Sequence, residues 1–435
     1  MILRARTVLP ISGPAIPDGA IAVRWGRIAS VGRWAEVRSS GNGRCVDLGD
    51  VILLPGLINA HCHLDYTQMA GQFPPPRSFT DWLKLIMTTK AGWSVSEFTE
   101  SWLDGAQMLV RTGTTTVGDI EAFPELLPEV WTGTPLRVIS FLEMLGITNR
   151  RQPGSILQDT LDKMKSLPRG RCEAALSPHA PYSTLPELLR LTAKAARRQR
   201  RLVCSHVAES ALEFSMFAHG AGDMFEWLRR SGRDMSDCGL GSPVQHLERC
   251  GLLGSNLLAA HVNYLAPKDV ALLQRRGVSV VHCPRSHFYF RHGLFPLKRL
   301  LRAGVNICLG TDSLASVCKR RNQAVELNLF DEMRVLSNSA PFLPPRKILE
   351  MATRNGARAL GKPGKLGELR QGAFADWIAL PVSRGSSDVY ETVLQHTGPL
   401  IAAMIGGRWT IAPAGVSKGL GGQAGQSANR LASLR

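Results

Sequence analysis

Eight short apolar runs, separated by stretches with helical patterning, constrain the fold more than any other feature of this chain. The first is Val51 to Leu54, read as a buried strand that runs on through Pro55-Gly56-Leu57-Ile58-Asn59-Ala60 to His61-Cys62-His63. The others are Thr114 to Ile120, Leu136 to Met144, Cys172 to His179, Arg201 to His206, Leu257 to His261, Val278 to His282 and Val305 to Asp312. Segments such as Leu185 to Arg197 and Pro267 to Arg276 carry helical spacing between them. Strand and helix signals in alternation imply a parallel sheet. Eight such units over about 300 residues predict an α/β fold, a (β/α)8 TIM barrel with insertions. An open doubly wound sheet competes with it, but no G-x-G-x-x-G follows the first strand.

The chain ends have a different texture. Gly19 to Val23 and Arg27 to Gly32 flank Trp25-Gly26, the pattern of a hairpin. Short strand-like runs return at Gly364 to Leu369, Gly372 to Leu380 and Leu400 to Trp409. The two ends are expected to pair into a small composite β-sandwich domain, residues 1–54 with 362–413, leaving 55–361 as the catalytic barrel. Residues 414–435 are rich in Gly, Ser, Gln and Ala, and predict a disordered tail.

In a barrel of this kind, reactive groups gather at the C-terminal ends of the strands. The sequence places polar residues there: His61 and His63, His179, His206 with Glu209, His261, His282, and Asp312. On a strand, positions i and i+2 share a face, so His61 and His63 point together and Cys62 points away. Two imidazoles so placed can share a metal ion. Taken alone, the pair fits two core histidines satisfied by hydrogen bonds equally well, and Glu209 alone fits a solvated acid at a helix start. Their recurrence at nearly every strand end favours a site.

Composition excludes other classes. The nine cysteines include no C-x-x-C pair, which fits reduced thiols better than a disulfide framework. No apolar run reaches the roughly 18 residues of a membrane helix, and the first residues lack a signal-peptide layout. A cytoplasmic location and no membrane partner are therefore expected. The net charge of +17 is spread widely, with short clusters at Arg197 to Arg201 and Lys319 to Arg321. No long basic run marks a nucleic-acid partner, and attraction of an anionic small molecule is the simpler use of the charge.

The motifs Pro-Gly-Leu-Ile-Asn-Ala-His-Cys-His (55–63), Ser-His-Val-Ala-Glu (205–209), Ala-Ala-His (259–261) and Leu-Gly-Thr-Asp-Ser (309–313) resemble those of the amidohydrolase superfamily. The branch they resemble holds chlorohydrolases and adenosine-type, S-adenosylhomocysteine, guanine and aminofutalosine deaminases. The likeness spans about 1–410. It implies His61, His63, His206 and Asp312 as ligands of one divalent metal ion, Zn²⁺ or alternatively Fe²⁺. The second metal of some members needs a lysine at the end of the fourth strand, where this chain has Ser177 to Tyr182. The resemblance also implies Glu209 as the proton shuttle, His261 as the group that polarises the attacking oxygen, and Asp312 as ligand and proton acceptor.

For substrate, the likeness implies a small heterocycle whose ring amino group is hydrolysed to ammonia. The segment His282-Cys283-Pro284-Arg285-Ser286-His287 is similar to that of aminofutalosine deaminases, enzymes of menaquinone biosynthesis. S-adenosylhomocysteine, methylthioadenosine or guanine deamination, and triazine chloride or amine removal, are the alternatives. His179 faces the sugar in such enzymes, or stands behind the ligands without touching substrate. Arg285 or Arg291 could meet a substrate carboxylate. Glu143 and His287 are further candidate contacts, and Phe79 to Leu83 a candidate wall. A homodimer is the expected assembly.

Overall fold

The computed structural model describes residues 1–40, 43–148, 150–319, 324–382 and 388–416. Residues 417–435 of the expected tail lie outside the described residues, as do Arg320 and Arg321 of the second basic cluster. Val416, at the start of that stretch, packs on the core of the small sheet.

Two eight-stranded sheets organise the chain. The first is mixed and draws on both ends: Ile2–Val8 (β1), Ile16–Arg24 (β2), Arg27–Arg33 (β3), Cys45–Asp47 (β4) and Val51–Pro55 (β5) join three strands from beyond the barrel. The β2–β3 hairpin turns on Trp25 and Gly26, both at positive φ, as a tight two-residue turn requires. The second sheet is all parallel: Leu57–Cys62 (β6), Thr114–Glu121 (β7), Arg137–Met144 (β8), Glu173–Pro178 (β9), Val203–Val207 (β10), Leu257–His261 (β11), Ser279–His282 (β12) and Asn306–Leu309 (β13). Its strands follow sequence order, and a parallel bridge from Cys62 to Asp312 brings the last back to the first. This is the predicted (β/α)8 barrel, with each strand within a few residues of its expected span.

The first apolar run is the exception. It is two strands, not one. Pro55 ends β5, paired with Trp377 in the small sheet, and Leu57 begins β6, paired with Thr114 in the barrel. Gly56 is the switch. A Cβ there would sit 2.2 Å from Thr115 side-chain atoms, so only glycine lets the chain cross at that point. Both halves are wholly buried, so the apolar pattern shows no break.

The small sheet is completed by Trp377–Pro381 (β14), Ala402–Ile405 (β15) and Arg408–Ile411 (β16), and β14 pairs antiparallel with β5. Inside the barrel, Ile58, Ala60, Phe141, Cys204, Leu258 and Val281 form one cluster, capped by Ala357 and Leu360. Outside it, the helix Val95–Arg111 starts at a Ser94–Glu97 capping box and lays Phe98, Trp102, Ala106 and Leu109 on the core.

One ion pair joins the two sheets. Arg137 of β8 donates to both oxygens of Asp376, which is 5 % exposed and also accepts the Gly406 amide. The guanidinium lies 3.9 Å from the centre of the Phe374 ring. Removing one partner of a buried pair leaves an uncompensated charge. Arg137→Ala is expected to cost about 3 to 5 kcal/mol, read as a lowered urea midpoint. An unchanged midpoint would show that the pair does not hold the sheets together.

Candidate active site

The metal-binding cage and the Glu209–His261 pair are built at the ends of four barrel strands, β6, β10, β11 and β13. A register shift between Asn59 and Cys62 at the end of β6 sends Cys62 outward to the Trp102 cluster. His61 and His63 turn inward, their ring centres 5.1 Å apart. The next residues are pinned by Asp119, which accepts from the Leu64 amide and from Trp102 Nε1, each at 3.0 Å.

His206 arrives from β10. Its Nδ1 lies 2.9 Å from the carbonyl oxygen of His179, which makes Nδ1 the donor and leaves a lone pair on Nε2. That Nε2 stands 3.2 Å from His63 Nε2. Asp312 follows β13 and reaches the same point, with Oδ1 3.9 Å from His61 Nε2 and 3.7 Å from His63 Nε2. Its carboxylate is fixed by Ser286 Oγ, Ser316 Oγ and the Ser313 amide. Thus the four residues picked from the sequence as ligands converge, although they lie far apart in the chain.

These groups fit a cation. His61 Nε2 is buried with no hydrogen-bond partner among the described residues. Burial, and then the neighbouring imidazoles, hold the His61 and His63 rings well below the ordinary histidine range, so they are neutral and able to donate lone pairs. Unpartnered buried nitrogens are costly, and three imidazoles beside a carboxylate are a donor set for a divalent metal.

Beside this cage stand Glu209 and His261. Glu209 Oε1 lies 3.6 Å from His261 Nε2, a buried nitrogen that also lacks a hydrogen-bond partner among the described residues. Burial first, then the negative charges of Asp312 and Glu213, push the Glu209 carboxyl well above its ordinary range. The backbone at these strand ends is strained: Ala208, His261, Val262 and Asp312 all have positive φ. Such conformations persist where the surroundings over-determine them, often at reactive sites.

The cage forms one end of an open cavity of about 880 Å³, counting the space at its mouth. One wall is the helix Phe79–Ala91, which presents Phe79, Trp82, Leu83, Ile86 and Lys90. Phe290 packs edge-on against Phe79 and Trp82 from behind. The opposite wall holds Glu143, His179 and Tyr182, and the helix Asp223–Arg230 adds Trp227 and Leu228. Burial holds His179 down to about 4, so its ring is neutral. Its Nδ1 is 2.6 Å from Ser183 Oγ, and its Nε2 is 3.8 Å from Glu143 Oε1.

Three candidate contacts, Arg285, Arg291 and His287, do not line this cavity. Arg285 is drawn away by the buried Glu332 and the partly exposed Asp331: its Nε binds Glu332 Oε1, another of its nitrogens lies 3.5 Å from Asp331, and a third donates to the Glu326 carbonyl. Its charge is therefore spent in the protein, and it does not line the cavity. Arg291 is exposed and does not line it either. His287 also stands back from the cavity, its Nδ1 3.0 Å from Asn263 Oδ1. The cation that does line the cavity is Lys90, which the sequence reading missed. Its Nζ lies 4.8 Å from the centre of the Tyr66 ring, and that ring stacks on His63. The available signal was helical spacing: Phe79, Leu83, Ile86 and Lys90 fall on one face.

Comparison with known proteins agrees with this architecture. The 5-methylthioadenosine/S-adenosylhomocysteine deaminase of Syntrophobacter fumaroxidans is 33 % identical over 388 residues, 85 % of this chain and 81 % of its own. A zinc-bound adenosine deaminase from Xanthomonas campestris superposes with a TM-score of 0.79 at 25 % identity, over 94 % of this chain and 92 % of that one. Helicobacter pylori aminofutalosine deaminase, in complex with methylthio-coformycin, gives 0.82 at 22 % identity, over 94 % and 100 %, a likeness of fold. No helix among the described residues is long and apolar enough to cross a membrane. The model of the amidohydrolase family matches residues 52–410, and the chain belongs to that family.

Proposed function

We propose that the protein is a metal-dependent hydrolase that converts the ring amino group of an adenine nucleoside, modified at its 5′ end, to a carbonyl with release of ammonia. The observation that carries this is the pairing of Glu209 with His261 beside the His61–His63–His206 cluster and Asp312, at one end of an open cavity. The relatives named as deaminases of methylthioadenosine, S-adenosylhomocysteine and adenosine support it.

Nε2 of His61, His63 and His206 with the Asp312 carboxylate would hold the metal, and we assign zinc, which suits three imidazoles and a carboxylate. A divalent ion there supplies Lewis acidity, lowering the pKa of water towards about 7. Glu209 takes a proton from the attacking water and delivers it to the ring nitrogen beside the reacting carbon. A carboxyl held above its usual range keeps that proton near neutral pH, as a shuttle needs. His261 Nε2 faces the oxygen that adds to the ring and stabilises the charge it develops. Asp312 accepts the second proton of the water, the amino nitrogen is protonated, and ammonia leaves.

Further along the cavity, Glu143, His179 and Lys90 form a polar collar suited to sugar hydroxyls, with Glu143 accepting and Lys90 donating. The aromatic mouth formed by Trp82, Trp227 and Phe79 suits an apolar 5′ substituent. Since Arg285 is committed to Glu332, a carboxylate-bearing nucleoside such as aminofutalosine would have to find Lys90 instead.

Three outcomes test this. Zinc-loaded protein should release ammonia from methylthioadenosine, S-adenosylhomocysteine, 5′-deoxyadenosine or aminofutalosine, and much less from guanine. Chloride release from a chlorotriazine with no ammonia from any nucleoside would overturn the assignment. Glu209→Gln is expected to keep its metal and lose about 10²-fold or more in kcat, and near-normal turnover would exclude it as shuttle. His61→Ala and Asp312→Ala should each lower the metal content measured by mass spectrometry, which also separates zinc from iron.

A further inference from the structure

Glu209 is held by more than its own strand. The residue before it, Ala208, has φ of 48°, a conformation unfavourable for any side chain bearing a Cβ. The strain is offset by a carboxylate placed over the turn. Glu213, four residues on and 0 % exposed, accepts the Ala208 amide on Oε1 at 2.9 Å and the Glu209 amide on Oε2 at 2.8 Å. Glu213 is itself set by Ser210, whose Oγ caps its amide at the start of the helix Ala211–His219.

The other face of the same peptide pair is held from the next strand end. Asn263 Nδ2 donates to the Glu209 carbonyl at 2.9 Å, and the Asn263 amide donates to the Ala208 carbonyl at 3.0 Å. Because Nδ2 must donate, Oδ1 of the same amide faces His287 Nδ1, which donates in turn. This explains what His287 does in a position where a substrate contact was expected: it fixes the orientation of Asn263.

We propose that Glu213 and Asn263, the latter oriented by His287, are positioning residues that clamp the Ala208–Glu209 peptide from both sides and so aim the Glu209 carboxyl at the reacting ring. Neither lines the cavity. The inference rests on Glu209 carrying the proton, and a misplacement of about 1 Å in such a group can cost on the order of 10²-fold in rate.

Two isosteric substitutions invert one hydrogen bond each without changing volume. Glu213→Gln turns an amide N–H₂ against a backbone N–H, and Asn263→Asp turns a carboxylate oxygen against the Glu209 carbonyl. Each variant is expected to lower kcat by about 10- to 100-fold while KM stays within about 3-fold and metal content per chain stays at the wild-type level. A purely structural role predicts a lowered melting temperature with wild-type kcat per folded, metal-loaded molecule, and that result would overturn the proposal. A fall in kcat matched by an equal loss of metal would overturn it as well. The clamp is also read without turnover, in crystal structures of the zinc-loaded wild type and Glu213→Gln. A displaced Glu209 carboxylate supports it, and an unmoved one sinks it. Failure of the wild type on every nucleoside would instead sink the substrate assignment and leave this comparison standing.

Discussion

One carbonyl oxygen holds the barrel's first and last strands in the relation on which the site depends. The amides of Thr311 and Asp312 both donate to the His61 carbonyl, each at 3.1 Å. Asn59 reinforces the seam, exchanging hydrogen bonds with the Thr311 amide and hydroxyl. Gly310 makes the approach possible, because a Cβ there would stand 2.6 Å from that same oxygen. The geometry is economical: the backbone contact that closes the sheet also sets Asp312 at positive φ and so turns its carboxylate towards the histidines. Closure of the fold and assembly of the cage are thus one event.

A second theme is the use of buried acids as structural braces around reactive groups. Asp119 fixes the turn after His63, Glu213 fixes the turn before Glu209, and Glu332 holds Arg285 out of the cavity. Burial raises the first two and the third to about 7. Each is satisfied by donors from the protein, which is the condition for a polar group to be kept inside at all. At the cage, by contrast, His61 Nε2 and His261 Nε2 have no such partner among the described residues. Glu121 Oε2, His282 Nδ1 and His396 Nε2 are also buried without a partner, so what marks His61 and His261 is the missing partner together with their place at the cage.

Burial also explains what the sequence could and could not reveal. Parallel strands buried on both faces are continuous apolar runs, so the eight barrel strands were legible, and a histidine or acid closing most of these runs stands out against that background. The expected boundary between residues 54 and 55 falls at this junction, but the division into two strands at Gly56 was not legible, because β5 and β6 are buried alike and one glycine in an apolar run has several readings. Arg285 was misplaced because proximity in sequence to a site residue does not say which way a long side chain turns, and Glu332 lies 47 positions away. Lys90 was missed for the opposite reason: a lysine ending an amphipathic helix looks like ordinary solvent-facing charge. Glu213 and Asn263 carry no motif of their own, since bracing a peptide demands a donor or acceptor at a point in space and no particular spacing.

The pairing of β5 with β14 has a bearing on how the chain matures on the ribosome. Residues Val51–Leu54 are apolar and lie within a sheet, yet the strand that covers their far edge, Trp377–Pro381, emerges only after the whole barrel has been made. Until then the amino-terminal strands present an open, sticky border of the kind that invites pairing with another chain. Completion of the small sheet therefore waits until the chain beyond the barrel has been made, and Trp377–Pro381 acts as a seal on a sheet begun before the barrel.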